Sequence, residues 1–141
     1  MAAFELFNFA QQLVELSLRL RGARHEILSG NVANAETPGY RPRDIDFESI
    51  MRDAAQMHDD PTGTREQKIA RMLAEPGDFK TAADQPELLD KYGEERLDGN
   101  SVGLDRQMAL LNENALSYEA SLTLLTRTLA NLRYAIGEGR R

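Results

Sequence analysis

Few residues in this chain have types and spacings that could do chemistry. The two histidines are His25 and His58, and His58 stands beside Asp59-Asp60. A metal site needs several ligands at matched spacing; neither histidine has a second His nearby, and cysteine is absent. Both read as solvated surface residues. Asp44, Asp46 and Glu48 alternate, so a strand would carry all three carboxylates on one face. Acid–base work would need a cleft that shifts a pKa. A polar strand face, or pairing with Arg41 and Arg43, is the expected role. Asp98-Gly99-Asn100 has residues that calcium loops use, without the twelve-residue ligand rhythm and closing Glu of an EF-hand. It reads as a tight turn ahead of a helix. No Gly-rich phosphate loop and no G-x-S-x-G elbow occurs. The sequence therefore predicts no catalytic, metal or cofactor site, and a chain that is not an enzyme.

The elements around these residues carry more information. Met108, Leu111, Ala115, Tyr118, Leu122, Leu125, Leu129, Leu132 and Ile136 are spaced alternately three and four apart. That is an apolar heptad seam over about four heptads, the pattern of a helix packing lengthwise on another. No Gly or Pro interrupts Leu104–Ile136. Ser101 is the expected N-cap, Asp105 suits the positive end of the dipole, and Gly137 stands where a C′ glycine belongs. Arg133, Arg140 and Arg141 suit the negative end. Such a helix is about 50 Å long.

The N-terminal segment mirrors it. Leu6, Leu13, Leu20 and Ile27 recur every seven, with Phe9, Leu16 and Ala23 between them. Gly22 and Gly30 weaken a helix by about 1 kcal/mol each relative to Ala, and with Ala23 and Ala33 they predict close approach of another backbone. The pattern ends at Asn31–Asn34, before the stop and turn signal Thr37-Pro38-Gly39. Pro38-Gly39 fits the centre of a type II turn, with Pro fixing φ and Gly supplying φ > 0. Tyr40 is expected to anchor that corner through its ring and hydroxyl.

Between the two helical ends the pattern is mixed. Ile45, Phe47 and Ile50 predict a short extended piece leading into helical turns over Ser49–Met57. Asp59-Asp60-Pro61-Thr62-Gly63 reads as a loop, Lys68–Ala74 as a short helix, and Pro76–Asn100 as loop-dominated. The expected fold is mainly α: long terminal helices packed as an antiparallel coiled-coil-like hairpin, with a small irregular middle region. The expected division is an N-terminal core helix at 1–35, a loop-rich acidic middle at 36–100 and a C-terminal core helix at 101–141.

Charge follows the same division. The chain has 17 basic and 23 acidic residues and a net charge of −6. Residues 1–35 sum to zero and 105–141 to +1, while 36–104 carry sixteen acids against nine bases, −7. No clustered basic face for nucleic acid results. No apolar run is long enough to span a membrane, and the first residues lack the basic region and unbroken apolar core of a secretory signal. Without cysteine there are no disulfides or thiolate sites. Phe7, Val14, Leu18, Leu28 and Val32 on one helix, and Leu104, Leu110, Leu116 and Leu124 on the other, lie off the main seams. A two-helix hairpin with apolar stripes this wide needs further partners, and neighbouring copies are the simplest source.

Asn31-Val32-Ala33-Asn34-Ala35-Glu36-Thr37-Pro38-Gly39-Tyr40 resembles the ANxxTPGY signature of the bacterial flagellar rod, hook and hook-associated proteins. Arg41-Pro42-Arg43-Asp44-Ile45-Asp46-Phe47 is similar to the stretch that follows it in proximal-rod members. Leu97-Asp98-Gly99-Asn100-Ser101-Val102-Gly103-Leu104-Asp105 looks like their LDGNxVxLD element, and Leu116-Ser117-Tyr118-Glu119-Ala120-Ser121 and Leu132–Ile136 match as well. The resemblance covers residues 5–48 and 97–138. Gly103 departs from a common acidic residue and Pro42 from a small or basic one; residues 52–96 match nothing.

The resemblance implies a subunit of the proximal rod of the flagellar basal body. It would assemble helically through its terminal helices into a drive-shaft that encloses an export channel and crosses the periplasm. It implies passage through the flagellar type III export apparatus without a cleaved signal. The implied partners are copies of itself, other rod proteins, the membrane-ring protein FliF and the junction protein FliE. The competing reading from the residues alone is a soluble helical adaptor or export chaperone that binds a partner's amphipathic helix.

Overall fold

The computed structural model describes residues 2–56 and 96–138. His58, the loop at Asp59–Gly63, the short helix at Lys68–Ala74, most of the Pro76–Asn100 stretch, Arg140 and Arg141 lie outside the described residues. Three helices are present among those described: α1 (Ala2–Ala33), α2 (Phe47–Gln56) and α3 (Leu104–Glu138). At 1.5 Å per residue, α1 and α3 are each about 50 Å long, as the periodicity predicts.

The terminal helices pair antiparallel. Asn31 near the end of α1 meets Gln107 near the start of α3, and ten residues back on α1 the Arg21 carbonyl meets Asn114. This is the mainly helical hairpin expected from the two seams. The faces that meet are not the expected ones.

On α1, the stripe of Leu13, Leu16, Leu20, Ala23 and Ile27 packs against Ile45, Phe47, Ile50, Met51 and Ala54. Leu16, Leu20 and Ala54 are fully buried there. Each fully buried Leu contributes about 1.5–3 kcal/mol. In α2 the apolar residues Phe47, Ile50, Met51 and Ala54 recur at three and four, one face of a helix. Asp46 caps that helix, its Oδ1 accepting the Ser49 N–H at 3.2 Å. Residues 45–54, which the sequence reading assigns to the middle region, thus occupy the α1 seam.

On α3, the side turned toward α1 is polar. Gln107 and Asn114 are fully or almost fully buried, and Ser117, Ser121 and Thr128 are half-buried with Leu110 and Leu111. Gln107, Asn114, Ser121 and Thr128 recur every seven residues. Met108, Ala115, Leu122 and Leu129 stand one residue further on, which is about 100° round the helix. That row is exposed, as is Ile136. Leu111, Tyr118, Leu125 and Leu132 stand four residues after the polar row, about 40° round. Leu111 and Leu125 of these are half-buried. The large seam residues that stay open, Met108, Tyr118, Leu122, Leu129, Leu132 and Ile136, are 39–65% exposed. Leu116 and Leu124, off the seam, are exposed as well.

Three local expectations are corrected. Gly103, not Ser101, is the N-cap of α3, because its carbonyl accepts the first intrahelical bond, from the Gln107 N–H at 2.9 Å. Gly137 is not a C′ residue: α3 runs through it to Glu138, and among the described glycines only Gly39 and Gly99 have positive φ. Gly22 and Gly30 do not mark a close backbone approach, since a Cβ at either would meet nothing within 4 Å. α2 and Ile45 cover the neighbouring stripe of α1 and leave these two positions open.

Candidate functional site: the joint between the two motifs

The candidate site is a hydrogen-bonded joint where the chain leaves α1 and enters α3. Its centre is Asn31, in the last turn of α1 and fully buried. Its Nδ2 donates to the Arg43 carbonyl at 2.6 Å and to Gln107 Oε1 at 3.0 Å. Its Oδ1 accepts from the Tyr40 hydroxyl at 3.1 Å and from the Arg43 N–H at 3.0 Å. Two donors and two acceptors are the whole capacity of a carboxamide, so Asn31 is saturated. One side chain ties α1 to the returning chain and to α3.

Asn34 ends the helix. Its N–H and its Nδ2 both donate to the Gly30 carbonyl, and its Oδ1 accepts from the Thr37 hydroxyl at 3.1 Å. Carbonyls that the helix itself leaves open are thereby satisfied. The Tyr40 N–H then donates to the Thr37 carbonyl at 3.2 Å, with Gly39 at φ +71°. This is the type II turn that Pro38-Gly39 predicts. Tyr40 anchors the corner by its hydroxyl, on Asn31.

The second motif docks on the first. In residues 96–100 the Gly99 N–H donates to the Arg96 carbonyl and the Arg96 N–H to the Asn100 carbonyl, both at 2.8 Å, with Gly99 at φ +78°. Gly99 lies against Gly39: a Cβ at Gly99 would stand 3.5 Å from the Gly39 Cα. The Gly39 N–H donates to the Asp98 carbonyl at 2.9 Å, and the Ser101 N–H to the Tyr40 carbonyl at 3.3 Å. Asn100 is fully buried. Its Nδ2 reaches the carbonyls of Asn34 at 3.1 Å, Ala35 at 3.1 Å and Thr37 at 2.7 Å. Its Oδ1 accepts the Val102 N–H at 2.7 Å, which holds the chain extended on its way to α3. Arg96 adds a bond to the Ala35 carbonyl at 3.3 Å and an exposed ion pair with Glu36 at 3.6 Å.

Beside the joint, Asp44 is 3% exposed, and its carboxylate accepts both the Nε and an Nη of Arg24, at 2.7 and 2.6 Å. This two-pronged, charge-assisted contact is among the stronger polar interactions a protein makes. It corrects the expected pairing with Arg41 and Arg43, both exposed; α1, not the local chain, supplies the cation. Asp46 caps α2 and Glu48 is exposed, so the alternating carboxylates share neither a face nor a task. Arg21 lies over the Phe47 ring, 4.3 Å from its centroid, a contact of about 0.5–2 kcal/mol. Burial and the neighbouring Arg24 lower its basicity, against the opposing pull of Glu113. These residues edge a polar cleft of about 460 Å³ between α2 and α3, with Arg106 and Ser117 on the α3 side. Among the described residues, no group of three or more His, Asp and Glu is placed to hold a metal ion, and His25 is exposed. No described helix is long and apolar enough to cross a membrane.

The motif residues Asn31, Asn34, Thr37, Pro38, Gly39 and Tyr40 are therefore brought together in one joint. Of the N-terminal seam, Leu13, Leu20 and Ile27 face residues 45–54, and the Leu6 side chain lies outside the described ones. Sequence reading missed Asn100 as a cross-chain clamp, Gln107 and Asn114 as the inner face of α3, and the Arg24–Asp44 pair. The repeat Gln107, Asn114, Ser121, Thr128 was a signal for the second of these: polar residues every seven beside an apolar seam define a second face.

No family model matches the chain. Among known proteins, it is 36% identical over 130 residues to the flagellar basal body rod protein FlgB of Escherichia coli K12, covering 87% of this chain and 89% of that protein. It is 33% identical over 132 residues to FlgB of Yersinia enterocolitica, covering 87% and 90%. It is 37% identical over 120 residues to FlgB of Cereibacter sphaeroides, covering 85% and 88%. These are matches along most of both chains, and the two motifs the resemblance rested on are interlocked in the fold: the chain belongs to the FlgB family of flagellar basal body rod proteins.

Proposed function

We propose that this chain is a structural subunit of the proximal rod that assembles helically through its terminal helices, as part of a drive-shaft and export-channel wall. The observation that carries this reading is the exposed seam of α3, which stays open among the described residues. Gln107 and Asn114 already tie α3 to α1, so the apolar row about 100° away is left for other molecules. The α1 seam has its partner within the chain, in residues 45–54. Assembly is therefore assigned to Met108, Ala115, Tyr118, Leu122, Leu129, Leu132 and Ile136, with Leu111 and Leu125 at the border between the two faces. α1 and α3 form the inner layer, with residues 45–54 fixed to it. The work is mechanical: torque passes through many helix–helix contacts, and no group catalyses a reaction.

The partners follow from the same reading: further copies, other rod proteins, FliF, FliE and the type III export apparatus. So does a place in the periplasmic rod, reached without a cleaved signal. The test is a pair of substitutions on the exposed row, Leu122→Asp and Leu129→Asp. Neither site faces α1, so purified monomer should melt as wild type does, within about 0.5 kcal/mol. Rod assembly and motility should be lost, because a charge in a closed helix interface costs several kcal/mol without a partner. Wild-type motility in both variants would refute the assignment.

A further inference from the structure

We propose that the two turns form a latch that closes late and as a unit, leaving the exit from α1 held by its local bonds alone until residues 96–103 arrive. The carbonyls of Ala35 and Thr37 and the N–H of Gly39 take their partners from residues more than fifty positions later in the chain: Asn100 Nδ2, Arg96 Nη1 and the Asp98 carbonyl. The turn at Thr37–Tyr40 has one backbone bond of its own, from the Tyr40 N–H to the Thr37 carbonyl. Residues 45–54, by contrast, meet the α1 stripe across shorter separations in sequence, in an apolar cluster made of residues from these two segments. Local contacts form before those that must close a long loop. A chain that emerges N-terminus first therefore holds α1 against α2 while its corner at 34–40 has only its local bonds, among them the Tyr40 hydroxyl on Asn31 and the Thr37 hydroxyl on Asn34. Asn100 is the bolt. It enters fully buried, shares its two N–H groups among three carbonyls of the first motif, and through Val102 sets the approach to α3.

Amide hydrogen exchange on the full chain tests this. In Asn100→Ala and Asn100→Asp, the amides of Gly39, Tyr40 and Ser101 should exchange at least about tenfold faster, since each hydrogen bond lost at the clamp is worth roughly a factor of ten. Those of Leu16–Leu20 should keep wild-type protection. In pulse-labelled refolding of the wild type, Leu16–Leu20 should become protected first, and Gly39 and Ser101 together afterwards. Unchanged protection of Gly39 in both variants would overturn the latch. So would equal loss at Gly39 and at Leu16–Leu20, because the corner would then be no separable unit. Protection of Gly39 simultaneous with Leu16–Leu20 during refolding would overturn its late closure.

Discussion

Replacing Asn31 by Ala removes a carboxamide with four partners at once. The bond to Gln107 is fully buried, and its loss leaves Gln107 Oε1 without a donor where water does not reach. An orphaned buried polar group costs about 1–3 kcal/mol. The bonds to the Arg43 carbonyl, the Arg43 N–H and the Tyr40 hydroxyl are partly buried. Water can replace Asn31 there in part, so each contributes about 0.5–1 kcal/mol. The sum is about 2.5–6 kcal/mol, a large share of the roughly 5–15 kcal/mol that holds a domain folded. Urea unfolding followed by circular dichroism, at a concentration where the chain is monomeric, measures it. Asn34→Ala is the control, since that side chain is partly exposed and bonds within its own helix end and turn; about 1 kcal/mol is expected. A cycle with Gln107→Met should give a coupling of only about 0.5–1.5 kcal/mol, because that pair is one bond of four. A loss below about 1 kcal/mol for Asn31→Ala, or one equal to that of Asn34→Ala, would refute the reasoning that Asn31 is the centre of the joint.

Gly39→Val should lower stability by about 2 kcal/mol or more, as a β-branched residue is strained at positive φ, and Gly99→Ala by about 1–2 kcal/mol from φ alone; thermal melts check both. Arg24→Met leaves a buried carboxylate without its guanidinium and should cost about 3–5 kcal/mol, while the double variant Arg24→Met/Asp44→Leu should recover most of that loss in urea titrations. Arg19→Ala breaks the exposed pair with Glu15 and should change the unfolding free energy by less than about 1 kcal/mol.

The helices and the corner were legible because their signals are local. Heptads over Leu6–Ile27 and Met108–Ile136 give two long helices, and Thr37-Pro38-Gly39-Tyr40 specifies its turn by the φ each residue prefers. Partner choice was not legible in the same way. A seam says that a helix face is apolar, not what covers it, and the Leu13, Leu20 and Ile27 stripe packs with residues 45–54. Asn100 was read as a turn residue because a turn is what its neighbours encode; its reach to the carbonyls of 34–37 exists only once the fold brings them together. Asp44 likewise has Arg43 next to it and Arg41 three residues before it, but its carboxylate is met by Arg24, from the helix beneath it.

The two rows of α3 share one further property. Each repeats every seven residues, while the helix turns every 3.6, so each row slides backward by about 20° per heptad. From Met108 to Ile136 that amounts to about 80°. A straight rod laid on Met108 would leave the row well before Ile136. Any neighbouring helix that keeps to it must wind left-handed around α3.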